Sequence, residues 1–276
     1  MQTVLITGAA SGLGRALALR YAREGADICI ADINSEGSQE TLNLVQQAGG
    51  QGWVYELDVR SETQWLQLQQ AVQQRWRRID VVINNAGVAT GDRIDAGEWA
   101  WWAWIIDINI KGVVLGCRTF TPMMKKAGAG HFINVASLAA LMKAPSMGSY
   151  NATKAAVVAI SETMHFELMP YGIGFTALCP GFFRTNLHHG MKTSDPDMLK
   201  FVDKVFEASA LNADDIAEAA YQAMLNNTMI CNPHPVGRRS YLIKKYLPFL
   251  CRRDGIKMAK RLQQREESRQ TSTDGH

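Results

Sequence analysis

The sequence predicts a doubly wound α/β fold, a seven-stranded parallel sheet with helices on both faces. Short apolar runs rich in Val and Ile recur along the chain, each followed by a longer segment with helical spacing. Alternation of that kind packs as parallel strands joined by crossover helices. Small or polar residues, Gly8, Asp32, Asp58 and Asn84, close four of those runs, where the carboxyl edge of such a sheet opens a ligand crevice.

Composition narrows the classes. The 276 residues are 47% hydrophobic and 20% charged, enough for a well-buried core in one large domain or two small ones. A net charge of +3 is too small to imply nucleic acid. No run is expected to reach the roughly 18–20 apolar residues of a membrane span, and Met1 leads straight into Val4-Leu5-Ile6 without the flank of a signal peptide. The five cysteines and six histidines show no metal-ligand spacing. The cysteines read as reduced, mostly buried side chains of a cytoplasmic protein with no metal.

Element by element, Thr3–Thr7 is a buried strand, Gly8-Ala-Ala-Ser11-Gly12-Leu13-Gly14 a turn, and Arg15–Glu24 a helix. A glycine-rich turn between strand and helix lets backbone amides approach a pyrophosphate, which the helix N-terminus also favours. The second strand, Asp27–Ala31, ends at Asp32. A carboxylate there can bond both hydroxyls of an adenosine ribose and repel a 2′-phosphate, so NAD is preferred over NADP; capping the next helix is the other use of Asp32. Arg15 is the one nearby cation that complicates this reading.

A polar helix over 36–48, a strand over Gly52–Leu57 ending at Asp58-Val59, a helix over 62–75 and a strand over Ile79–Ile83 follow, the last stopping at Asn84-Asn85-Ala86-Gly87. Trp99–Lys111 begins a long helix holding four of the seven tryptophans, which suits core packing or a subunit interface. His131–Val135 is the fifth strand and delivers Ser137. The sixth, Gly174–Leu178, ends at Cys179-Pro180-Gly181, and a helix over 214–226 and a strand over Thr228–Cys231 close the pattern.

Tyr150-x-x-x-Lys154 starts a helix that runs through an Ala- and Val-rich segment, and a spacing of four places phenol and ammonium on one face. A lysine cation lowers a phenol pKa toward the working range of a general acid or base, and the Ser137 hydroxyl can hold a substrate oxygen. An isolated Tyr-x-x-x-Lys is more often a surface pair; the company it keeps decides.

That company resembles the short-chain dehydrogenase/reductase (SDR) family. The matching residues are Thr7-Gly8-x-x-x-Gly12-x-Gly14, Asp58, Asn84-Asn85-Ala86-Gly87, Asn109, Ser137, Tyr150-x-x-x-Lys154 and Pro180-Gly181 followed by Thr185, in family order. The resemblance implies a Rossmann-type fold and a catalytic set of Asn109, Ser137, Tyr150 and Lys154, with Asn109 at a helix kink holding a relay water. It implies a cofactor site at Gly8, Ser11, Gly12, Leu13, Gly14, Asp32, Asp58, Val59, Asn85, Ala86, Gly87, Tyr150, Lys154, Pro180, Gly181 and Thr185. It also implies a substrate lid over about 182–211 and a homodimer or homotetramer. The function expected is reversible hydride transfer between NAD and a secondary alcohol.

Phe182, Phe183, Leu187 and Met191, with Leu138, Leu141, Met142 and Met147, supply an apolar lining, which favours a small apolar alcohol or ketone of steroid, retinoid or acyl type. The competing readings are an NADPH-dependent reductase of acyl-carrier substrates, which Asp32 argues against, and a nucleotide-binding scaffold without turnover, which the complete catalytic set argues against. The catalytic domain is read as 1–235. Beyond it, 236–276 is a basic segment interleaved with apolar residues, its polar end over 266–276 expected to be disordered. It reads as a helix on an anionic membrane surface, as a cover for the substrate pocket, or as a solvated basic helix.

Overall fold

The computed structural model describes residues 1–183, 190–207 and 209–273. Seven strands, β1 (Thr3–Thr7), β2 (Asp27–Asp32), β3 (Gln51–Glu56), β4 (Val81–Asn84), β5 (Gly130–Val135), β6 (Ile173–Leu178) and β7 (Ile230–Cys231), form one sheet. All pairings are parallel, in the order β3-β2-β1-β4-β5-β6-β7. The connecting helices are α1 (Gly12–Ala22), α2 (Ser35–Gln47), α3 (Glu62–Arg75), α4 (Trp99–Ile106), α5 (Gly112–Ala127), α6 (Leu138–Met142), α7 (Gly148–Leu168), α8 (Pro196–Glu207), α9 (Ala213–Leu225), α10 (Pro235–Tyr246) and α11 (Pro248–Thr273).

Strand alternation sorts side chains to two cores. In β1, Val4 and Ile6 pack with Leu17 and Tyr21 of α1, Val45 of α2 and Ala220 of α9, while Leu5 faces Trp65 and Leu68 of α3, Phe120 of α5 and Val157 of α7. Both faces are therefore covered, as an all-parallel sheet requires. Several helices start where the sequence offers a cap: Asn34 accepts from Gly37 N, Ser61 from Gln64 N, and Asn212 with Asp215 forms a reciprocal capping box on α9.

Three features depart from expectation. The fourth strand is shifted onto Val81–Asn84 and the seventh is only two residues long, because strand ends follow pairing partners more closely than hydrophobicity. The five-residue α6 was not foreseen. The long helix from Trp99 to Ala127 is apolar and long enough to cross a membrane, contrary to the reading of the sequence, which counted only uninterrupted apolar runs. Its α5 part packs against α3 and covers β4 and β5 of the sheet, while its α4 part buries only Ile105 and leaves Trp99 on the surface.

One buried polar chain holds α7 to the sheet. Asn84 Nδ2 donates to Asn134 Oδ1 at 2.8 Å, Asn134 Nδ2 donates to Ser161 Oγ at 2.9 Å, and Ser161 Oγ donates to Val157 O at 2.8 Å. Asn134 and Ser161 are fully buried, so each link must be satisfied internally. Replacing Ser161 by Ala strands the Asn134 amide, and urea unfolding is expected to show a loss of about 1–3 kcal/mol.

Candidate active site

The site is built on the edge where β1, β2, β4, β5 and β6 end. Gly8 and Gly12 adopt φ of +64° and +55°, a region open to glycine at little cost. Gly14 has another role: a Cβ on it would lie 2.1 Å from Gly8 O, so the helix can approach the turn only without a side chain. Asn85 Nδ2 donates to Thr7 O and Gly8 O at 2.9 and 3.0 Å, and Thr7 Oγ1 accepts from Asn85 N and Ala86 N. The end of β4 thereby fixes the turn after β1. Gly8, Ser11, Gly12 and Leu13 line a cavity of about 540 Å³, whereas Gly14 stands behind it as packing.

Farther along the same cavity lie Asp32, Asp58, Val59, Asn85, Ala86 and Gly87. The Asp32 carboxylate accepts from Ala10 N and Asn34 N, both at 3.0 Å, which fixes its direction at the tip of β2. Arg15 turns away: its guanidinium meets Glu40 at 2.9 Å and Ala10 O at 2.6 Å. The cation that the sequence reading overlooked is Arg60, which lines the cavity and grips Asp58 through two parallel bonds of 2.9 and 2.7 Å. Those bonds hold the Asp58 carboxyl below its ordinary value.

Tyr150 and Lys154, on the first turns of α7, are 7% and 4% exposed, and the Lys154 ammonium lies 5.9 Å from the centre of the Tyr150 ring. Lys154 Nζ donates to Val135 O at 2.8 Å. One carbonyl does not replace the hydration of an ammonium, and burial pushes the Lys154 pKa down to about 8. Burial also raises the Tyr150 phenol, with the Ser137 side chain beside it pulling it back. Lysine-driven lowering of the phenol was the expectation; in the structure burial raises it, and the opposing influence comes from Ser137. Ser137 caps α6, its Oγ accepting from Ala139 N at 3.1 Å, and Leu138 N donates to Pro180 O at 2.7 Å, which joins the serine loop to the Pro180-Gly181 turn. Ser137, Tyr150, Lys154, Pro180 and Gly181 all line the cavity.

Asn109 lies on a π-helical turn, Asp107–Lys111, between α4 and α5. It is fully buried and bonds Val88 through both side-chain atoms, at 2.9 and 3.0 Å, while its Nδ2 also donates to Thr153 Oγ1 at 3.2 Å. It stands behind the cavity wall and ties the segment after β4 to α7. Gly87 separates it from the lysine: a Cβ there would meet Lys154 Nζ at 3.2 Å and Asn109 Oδ1 at 3.3 Å.

The remaining wall is apolar. Leu138, Met142, Met147, Phe182, Phe183 and Met191 line it as expected, joined by Trp104, Val202 and Phe206, which the sequence reading missed. Leu141 is instead buried in the main core, against which Leu138 also packs. Leu187 and Thr185 lie outside the described residues. Residues 190–207 cross the site and are bonded to the segment after β4: Lys192 pairs with Thr90, and Ser194 N donates to Asp92 Oδ1 at 2.8 Å. Lys192 Nζ sits 4.3 Å from the centre of the Trp104 ring.

His234, also missed, bridges to the Pro180-Gly181 turn. Its Nδ1 accepts from Gly181 N at 3.0 Å and its Nε2 faces Phe182 O at 3.1 Å. Those partners require a neutral ring with the proton on Nε2. Flanked only by Pro233 and Pro235, it carried no signal in the sequence.

With this geometry in place, comparison with known proteins is decisive for class. The profile described as short chain dehydrogenase matches residues 2–195, and the chain belongs to that family. It is an oxidoreductase fold in which no group of three or more His, Cys, Asp or Glu could hold a metal among the described residues. Among particular relatives, the chain is 32% identical to the protein named "Probable oxidoreductase EphD" of Mycobacterium tuberculosis over 89% of its own length, yet spans only 43% of that relative. It is 32% identical to a cyclopentanol dehydrogenase of Comamonas testosteroni over 67% of this chain and 74% of the relative. A crystal structure of a short chain dehydrogenase/reductase from Burkholderia phymatum in complex with NAD superposes with a TM-score of 0.84 at 29% identity, covering 90% of this chain and 94% of that one.

The histidine bridge is testable. Burial holds the His234 pKa below its ordinary 6.5, so its two bonds stabilise the fold fully above about pH 6.5. They are lost as pH falls through the lower folded value, where a second N–H would oppose Gly181 N. In urea unfolding, the stability gap between the wild type and His234→Ala is expected to narrow from about pH 7 toward pH 5.

Proposed function

We propose that this chain is an NAD(H)-dependent oxidoreductase that interconverts a secondary alcohol and a ketone on a hydrophobic substrate. The observation that carries the reading is a single cavity in which Ser137, Tyr150 and Lys154 stand between a glycine-rich dinucleotide cradle and an apolar wall. The cradle fits a nicotinamide dinucleotide: a Cβ at Gly8 would lie 2.8 Å from Ala86 Cα, and the N-terminus of α1 opens beside it, where a pyrophosphate is favoured. Asp32 at the tip of β2, with Arg15 and Arg60 both engaged by carboxylates, supports NAD over NADP, as does the NAD named for the Burkholderia phymatum protein.

When bound, the nicotinamide supplies the acceptor for a hydride leaving the carbinol carbon. The chain does the rest. Tyr150 takes the hydroxyl proton as phenolate, Ser137 holds the substrate oxygen, and Lys154 supplies the positive charge that favours the phenolate. Trp104, Met142, Met147, Val202 and Phe206 surround the remainder of the substrate and exclude water. The cyclopentanol dehydrogenase among the relatives supports an apolar alcohol as the class.

Fluorescence titration with NADH and NADPH, followed by absorbance at the nicotinamide band with steroid, retinoid and aliphatic alcohols, tests this reading. NADH is expected to bind more tightly than NADPH, and Asp32→Ser to narrow that difference. Tyr150→Phe is expected to bind NADH normally while losing about 10²–10⁴-fold in turnover. Full turnover by that variant would remove Tyr150 from the mechanism.

A further inference from the structure

The charge of this chain is unevenly placed. Residues 235–276 hold 11 of its 29 Lys and Arg and only 4 of its 26 Asp and Glu. The tail is therefore +7, and the preceding 234 residues are −4. Within α10 and the first half of α11 the one acidic residue is Asp254, against Arg238, Arg239, Lys244, Lys245, Arg252, Arg253, Lys257 and Lys260. Among those cations the chain exposes large apolar side chains: Leu242, Tyr246, Leu247, Phe249, Leu250 and Ile256, with Tyr246 and Phe249 at 69% and 64%.

We propose that residues 235–260 are a docking surface for an anionic lipid membrane. At roughly 100° per residue along α11, Phe249 and Ile256 fall about 20° apart, with Arg253 and Lys260 within about 40° of Phe249. That face mixes what a bilayer interface takes up: apolar groups for the acyl boundary and long cationic stems that reach back to lipid phosphates. A nucleic acid would match the cations and leave Leu, Ile and Phe in water. A second copy of the tail would match the apolar groups and set cation against cation. Only an anionic lipid surface matches both.

The tail is anchored to the rest of the molecule beside the cavity. Gly237 of α10 packs against α6, where a Cβ would lie 3.1 Å from Leu138 Cδ2; Lys244 Nζ donates to Leu141 O; and Tyr241 packs against the main core. Leu138 and Met142 of the same α6 line the cavity. A membrane bound by the tail thus lies next to the substrate wall, and an apolar alcohol dissolved in lipid would reach the site without crossing water. That consequence rests on the proposed substrate class; the docking does not.

The test is cosedimentation of the full chain with vesicles of phosphatidylcholine alone and with about 30% phosphatidylglycerol, at low and high salt, with NADH binding as the control for folding. The full chain is expected to bind the anionic vesicles, less so at high salt, and to leave the neutral ones. At about fivefold per cation near the surface, R252E with R253E should weaken binding by at least about 25-fold, and F249S with I256S should weaken it at either salt, all with NADH binding intact. Absence of binding, equal binding to neutral vesicles, or variants without effect would overturn the proposal. So would tail variants that change the oligomeric mass in the absence of vesicle binding, which would assign the surface to a second copy. Binding of duplex DNA without binding of vesicles would overturn it in favour of nucleic acid.

Discussion

Between β1 and β4 the strand order reverses, and the rest of the site depends on that reversal. β2 and β3 extend the sheet on one side of β1, and β4 to β7 extend it on the other. The connections after β1 and β4 therefore diverge and leave a crevice that no loop has to cross. Into it the chain delivers Gly8 from β1, Asp32 from β2, Asn85 from β4, Ser137 from β5 and Pro180 from β6. Local bonds then tune what topology has placed: Asn85 fixes the glycine turn, Leu138 joins the serine loop to the Pro180 turn, and His234 braces that turn from outside.

The same crevice sets the protonation chemistry. Tyr150 and Lys154 have ordinary pKa values near each other, about 10 and 10.4, and burial moves them apart, the phenol up and the ammonium down. Taken by themselves, the two side chains favour the neutral phenol. The phenolate then requires positive charge close at hand, and Lys154, held within the cavity by Val135 O, provides it only while it keeps its proton. Water exclusion strengthens the coupling between the two groups and raises the cost of charging either one.

Much of this was legible in the sequence for physical reasons. Gly8 and Gly12 mark backbone that only glycine adopts readily, Asp32 and Asp58 stand at strand ends, and the spacing of Tyr150 and Lys154 fixes a shared helix face. What escaped depended on contacts between segments far apart in the chain. His234 acts through a turn more than fifty residues earlier. Trp104 was grouped with three other tryptophans as core or interface, yet it enters the cavity because 190–207 folds back over it. Leu141 followed the hydrophobic pattern of its neighbours and turned to the core, since pattern alone does not give the phase of a one-turn helix. Arg60 was overlooked, because nothing in the sequence shows that both oxygens of Asp58 turn toward it.

The π-turn at Asp107–Lys111 also bears on how pocket and core are fitted to one long helix. An inserted residue in a helix advances the phase of everything beyond it by roughly 100°, so the faces of α4 and α5 are set independently of one another. On the α5 side, Leu115, Cys117 and Phe120 must meet the core; on the α4 side, Trp104 must meet the cavity. A plain α-helix through both would force one of these demands to yield to the other. The extra residue sets the offset between the two faces, so that Trp104 lines the pocket while Leu115, Cys117 and Phe120 stay in the core.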